Sequence, residues 1–146
     1  MRVTQLLIDG KFVNSTSGKT FDTFNPATEE KITSVQEAGE HDIDKAVKAA
    51  RKAFDHGPWR RMPAHERGRL MTKLADLILK HHDELSALEA LDNGKPFTFA
   101  KMADITLAEK CYRYYGGWPD KIQGKTIPIS GPHFCYTREE PVGVCA

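Results

Sequence analysis

The most intrinsically reactive side chains in this sequence are three thiols, Cys111, Cys135 and Cys145. A thiolate can attack a carbonyl carbon or ligate a soft metal, but it needs a nearby base or cation to lower its pKa first. None of the three stands in such a setting. No two share the C-x-x-C spacing of redox or zinc motifs, and three cysteines cannot all pair, so reduced thiols in a cytosol-like compartment are expected. Cys111 falls on the apolar positions of a helical pattern, and Cys135 and Cys145 fall in strand-like runs. All three read as ordinary buried thiols. His81-His82 has no partner three or four residues away, and His133 with Cys135 makes two ligands where a structural zinc takes four. That leaves Asp92. It closes a long helical pattern, where the helix dipole is negative and a Lys or Arg would be the favourable choice. A carboxylate there calls for a positive group nearby, and Lys95 three positions on is a candidate.

The element that must position Asp92 is the stretch 63–96. Leu70, Leu74, Leu77, Ile78, His81, Leu85, Leu88 and Leu91 recur at steps of three and four. This predicts one helix, or two bent at His81-His82-Asp83, with an apolar stripe facing a core. Pro63 and Glu66 mark the start, and Gly94 with Pro96 marks the stop. Upstream, residues 5–8 and Lys11–Val13 flank Asp9-Gly10 as a hairpin. Thr20–Phe24 and residues 31–35 read as two further strands around the turn Asn25-Pro26-Ala27-Thr28. This β meander is too thin to have a core of its own and must pack on the helices. Gly39, with Asp42 three residues on, opens a first helix whose apolar positions Ile43, Ala46, Val47, Ala50 and Phe54 run to Gly57-Pro58. Thr98 is expected to cap a later helix carrying Met102, Ile105, Cys111, Tyr112 and Tyr115, which loosens at Gly116-Gly117-Trp118-Pro119. Residues 125–129 and 134–138 read as extended. Residues 141–146 are apolar and strand-like, an ending that calls for a pairing partner and reads as the front of a longer polypeptide.

Composition narrows the function classes. The chain has 146 residues, 40% hydrophobic and 28% charged, with 21 Lys and Arg against 20 Asp and Glu. It is large enough for one domain. Its near-neutral balance gives no field to draw it onto nucleic acid or an anionic membrane. The local basic run Arg60-Arg61, with Arg67 and Arg69, lacks aromatic platforms and reads as a paired, solvated face. No apolar run reaches membrane-spanning length, and Met1-Arg2-Val3-Thr4 leads directly into a strand without a targeting pattern.

Several segments resemble a known family when taken together. Asn25-Pro26-Ala27-Thr28, Ile43-Asp44-Lys45-Ala46-Val47-Lys48-Ala49-Ala50-Arg51, Trp59-Arg60-Arg61-Met62, Leu91-Asp92-Asn93-Gly94-Lys95-Pro96, Tyr114-Tyr115-Gly116-Gly117-Trp118 and Glu140-Pro141-Val142-Gly143-Val144 resemble, in order, the N-terminal portion of NAD(P)-dependent aldehyde dehydrogenases of the mitochondrial, cytosolic and retinal type. Gly117 and Pro119 depart from the family pattern, and Pro119 suggests a helix that breaks and restarts there.

The resemblance implies an α/β fold: the N-terminal part of a Rossmann-like cofactor domain, with a β hairpin and short strands packed on three to four helices. It implies a division into 1–132, the cofactor-domain part, and 133–146, the start of a strand arm through which subunits add to one another as homo-oligomers. It implies oxidation of an aldehyde to a carboxylic acid. A cysteine thiolate attacks the carbonyl, hydride passes to NAD or NADP, and a glutamate-activated water releases the acyl group. In the family the catalytic cysteine, glutamate and asparagine and the dinucleotide contacts lie beyond the position matching Ala146, so no catalytic or cofactor-binding residue is assigned to this chain. A fragment without activity of its own is expected, localised to the cytoplasm, or to mitochondria if a leader has been removed. The alternative is a non-catalytic truncated partner that docks on full-length subunits. Thr23, Phe24 and Asp92 match a site where many members hold a structural monovalent cation, and Leu107 matches a position lining the aldehyde tunnel. With partner elements missing, the stripe from Leu70 to Leu91 is expected to be incompletely covered and the isolated chain marginal in stability.

Overall fold

The computed structural model describes residues 4–146. Strands β1 (Leu6–Ile8) and β2 (Lys11–Val13) pair antiparallel with Leu6 opposite Val13. Asp9 and Gly10 between them both take positive φ, 53° and 73°, the two-residue turn whose twist matches a hairpin. Strands β3 (Thr20–Phe24) and β4 (Lys31–Gln36) form a second antiparallel pair, with a register shift between Thr23 and Phe24. Asp22 holds this hairpin from the side, accepting from Ser34 at 2.6 Å and pairing with Lys31 at 2.8 Å. In the turn that follows β3, the Asn25 side chain accepts from the Ala27 N–H at 2.9 Å. That local hydrogen bond is why Asn favours such turns.

Helix α1 (Glu40–His56) opens as its sequence predicts, with the Asp42 carboxylate accepting from the Gly39 N–H at 3.2 Å. A 3-10 turn (Pro58–Arg61) leads to α2 (Ala64–Lys80), and α3 (His82–Asn93) follows after a single break at His81. The long apolar stripe therefore belongs to two helices. Gly94 ends α3 in the left-handed conformation, φ 77°. The next helical stretch is continuous but uneven: α4 (Phe97–Phe99), a π-helical segment (Ala100–Ile105) and α5 (Thr106–Gly116). β5 (Thr126–Ile127) and β6 (Cys135–Tyr136) close the chain as a third antiparallel pair.

Three expectations need correction. The third helix is capped by Pro96 and not by Thr98, with the Phe99 N–H donating to the Pro96 carbonyl at 2.9 Å. Proline has φ already set for a helix start and no N–H to leave unsatisfied there. Residues 141–146 form no strand, because a strand exists only where another strand completes its ladder. After Gly116 the chain turns without a new helix, and Lys121 Nζ donates to the Gly117 carbonyl at 2.6 Å.

The helices pack closely but shallowly. α2 crosses α5 at Gly68 and Gly116: a Cβ on Gly68 would overlap the Gly116 carbonyl oxygen, and a Cβ on Gly116 would come within 3.0 Å of Thr72 Oγ1. Arg113 straddles the crossing, reaching Asp76 on α2 at 2.9 Å and Glu109 on its own helix at 2.5 Å. α3 rests on the π-helical segment, where Ser86 is the largest fully buried side chain. Among the described residues the only buried apolar side chains are Ala75 and Ala100. Leu74 remains 41% exposed and Leu88 50%. At roughly 1.5–3 kcal/mol for burying a leucine fully, each forgoes about 1 kcal/mol. The incomplete cover expected for the stripe is what the structure shows.

Candidate functional site

Asp92 sits one residue from the end of α3, and the Gly94 cap fixes what faces it. A Cβ on Gly94 would lie 2.9 Å from Pro26 Cβ, so only glycine lets the turn after β3 seat directly against the end of α3. That contact brings β3 alongside the helix. Thr23 and Asp92, 69 positions apart in the chain, line the same open groove of about 730 Å3. Its apolar floor comes from Ile32 and Val35 on β4 and from Leu85, Leu88 and Leu91 on α3, with His81 and Glu84 at the far end.

Phe24 stands beside this groove and does not line it; its side chain is exposed. Its contribution would be main-chain oxygen, and the register shift between Thr23 and Phe24 interrupts the ladder at this place. Lys95 does not neutralise Asp92. Its ammonium pairs with Asp104 at 2.6 Å and Glu89 at 3.6 Å, and the Asp104 hydrogen bond holds its pKa above the usual lysine range. Among the described residues Asp92 forms no ion pair. The donors at this end of the groove, a carboxylate, a threonine and the carbonyls of a helix end, are all oxygens, the donor class that suits a hard cation and not a soft one.

The thiols are not the buried groups expected. Cys111 and Cys145 are exposed and Cys135 is half-buried. α5 carries a wider apolar face than α2 alone covers, and Cys111 lies on the uncovered part, as does Leu107, 61% exposed. Among the described residues the single thiol hydrogen bond runs from Cys145 Sγ to the Gly143 carbonyl at 3.8 Å. His81 Nδ1 lies 3.3 Å from Glu84, and His82 Nε2 lies 3.1 Å from Thr106 Oγ1. Among the described residues no three His, Cys, Asp or Glu side chains converge as metal ligands. Among the described residues no helix is long and apolar enough to cross a membrane.

Two arrangements had no sequence signal. Asp42, 2% exposed, caps α1 and also reaches across 26 positions to the loop before β3, accepting from the Thr16 hydroxyl and from the Thr16 N–H at 3.1 Å. The Thr16 hydroxyl is the main reason its carboxyl titrates below the usual range. Where the π-helical segment passes into α5, Thr106 Oγ1 donates to the Lys101 carbonyl five residues back at 2.8 Å, in a widened turn that propensity does not foretell.

The family model "Aldehyde dehydrogenase family" matches residues 12–146. The chain belongs to the aldehyde dehydrogenase family. It is 55% identical over 142 residues to human mitochondrial aldehyde dehydrogenase and 56% identical over 142 residues to an aldehyde dehydrogenase of Alternaria alternata. In both cases the match covers 97% of this chain and 28% of the relative. Among solved structures it superposes on the NAD+ complex of an aldehyde dehydrogenase from Bacillus cereus with a TM-score of 0.92 at 55% identity, covering 97% of this chain and 29% of that one. PnpE in complex with nicotinamide adenine dinucleotide gives a TM-score of 0.87 at 40% identity. The mixed α/β arrangement expected from the resemblance is the one observed: four helices and small antiparallel sheets matching the N-terminal region of aldehyde dehydrogenases. The chain spans 28% of the length of these curated relatives.

Proposed function

We propose that these 146 residues are the N-terminal part of an NAD(P)-dependent aldehyde dehydrogenase, and that oxidation of aldehyde to carboxylic acid needs the rest of such a polypeptide. The observation that carries this reading is the match over 97% of the chain to an enzyme solved with NAD+, of which it represents 29%. The described residues contain only antiparallel strand pairs and offer no parallel-sheet crevice for a dinucleotide. No step of hydride transfer is therefore assigned to them. Residues 1–132 belong to the cofactor domain and 133–146 begin the strand arm of a cytoplasmic homo-oligomer. Thr23, Phe24 and Asp92 hold a monovalent cation that joins β3 to the end of α3. Leu107 faces the aldehyde's path; its exposure leaves it available for that role.

The test joins these 146 residues to the remainder of the Bacillus cereus enzyme. The chimera should oxidise aldehyde with reduction of NAD+, while the 146-residue chain alone neither oxidises aldehyde nor binds NAD+. Turnover by the chain alone, or a folded chimera without activity, would refute the assignment.

A further inference from the structure

His82 opens α3, and its side chain is mostly buried, 18% exposed. Its Nε2 lies 3.1 Å from Thr106 Oγ1, 24 positions along the chain. A threonine hydroxyl has one hydrogen to give, and Thr106 gives it to the Lys101 carbonyl at 2.8 Å. His82 is therefore the donor, which fixes the neutral ring as the Nε2–H tautomer and leaves Nδ1 toward Asp83 at 3.7 Å. Lys101 is tied to the same turn of α3 a second time, since its ammonium pairs with Asp83 at 2.7 Å. Ser86, fully buried, donates from Oγ to the His82 carbonyl at 2.6 Å, so the turn that carries His82 is itself fixed.

This contact sits where the helix changes pitch. A π turn closes over five residues, the interval from Lys101 to Thr106, and carries one residue more than an α turn. Each such extra residue rotates everything that follows by about 100°. Upstream, Ala100 is fully buried and α3 rests on the π-helical segment; downstream, Gly116 seats on Gly68 of α2. The wide turn reconciles the two packings. Leu107 is the first residue after Thr106, so its direction depends on that turn. We propose that His82 is a positioning residue for aldehyde oxidation: through Thr106 it holds the wide turn that aims Leu107, and so helps to set the bulk of aldehyde accepted. The substrate part rests on the reading above that Leu107 faces the aldehyde's path.

Two measurements test this. In the 146-residue chain, the imidazole nitrogen shifts in NMR should show the Nε2–H tautomer for His82; the Nδ1–H tautomer would overturn the proposal. In the chimera with the Bacillus cereus remainder, His82→Phe keeps a ring and removes the donor, while His82→Gln returns an amide N–H. Losing one hydrogen bond of ordinary net strength should shift the ratio of kcat/KM for benzaldehyde over acetaldehyde about three- to tenfold in His82→Phe, mainly through KM. His82→Gln should lie close to the parent. Thr106→Val, which removes the acceptor, should shift the ratio in the same direction, and the double variant should add little. A role in packing alone predicts no rescue by glutamine, and that result would overturn the proposal. Leu107→Ala separates the two readings. If it shifts the ratio while His82→Phe and Thr106→Val do not, Leu107 faces the aldehyde and His82 does not aim it. If Leu107→Ala leaves the ratio unchanged, the substrate role falls for both residues.

Discussion

Gly94→Ala adds one methyl group at the junction that holds β3 against α3, and the structure fixes where it goes. Two costs act together. Gly94 has φ 77°, a conformation that costs a residue with a Cβ about 1–2 kcal/mol. The new Cβ would also lie 2.9 Å from Pro26 Cβ and 3.3 Å from Pro26 Cγ, so the turn must retreat by several tenths of an ångström. Overpacking of this kind costs about 1–3 kcal/mol, and the reduced entropy of the unfolded chain returns about 0.4–1 kcal/mol. The net loss should be about 3 kcal/mol, or about 6–12 °C in Tm for a chain of this size. Gly117→Ala is the control, because its φ is −83° and its nearest non-neighbouring atom, the Tyr114 carbonyl oxygen, would be at an ordinary 3.5 Å. Thermal unfolding followed by helical circular dichroism reads both. A cycle with Pro26→Gly separates the two costs, since the steric part disappears when Pro26 is removed and the φ part does not. Equal stability of Gly94→Ala and the parent would refute the seating of the turn on α3. A loss of full size that persists in the Pro26→Gly background would assign the whole effect to φ.

Asp42 titrates below its ordinary value in the folded chain, so the unfolded state binds the extra proton. Its contribution should be complete above the ordinary aspartate pKa of 3.8 and be lost as pH falls through the lower folded value; Asp42→Asn should lower Tm at neutral pH and flatten the acid limb of a Tm-against-pH curve. A parallel acid limb in the variant would show that the Thr16 contact does not set it. Sodium or potassium chloride should raise Tm above that in tetramethylammonium chloride at equal ionic strength, and Asp92→Asn should abolish the difference. An unchanged ion preference in the variant would remove Asp92 from the cation site. Under limiting maleimide, Cys111 and Cys145 should label before Cys135; the opposite order would contradict the exposures.

Local signals in the sequence carried much of this architecture. Asp9-Gly10 determined a tight turn because two consecutive residues there must accept positive φ. The three- and four-residue steps of the leucines determined that residues 64–93 are helical, and Gly94 with Pro96 determined where that run stops. Asp92 was legible as an anomaly, since a carboxylate at a helix C-terminus opposes the dipole wherever the helix sits.

Tertiary structure decided what depends on distance through space. Thr23 shares a groove with Asp92 because Gly94 admits Pro26, and nothing in either segment names the other. Asp42 reads in sequence as a local cap, yet its reach to Thr16 exists only because the loop before β3 folds back onto the start of α1. Cys111 and Leu107 occupy apolar helix positions, but the neighbours that would bury them are not supplied by α2. Helical period tells which side chains share a face. Only the packed chain decides whether another surface covers that face.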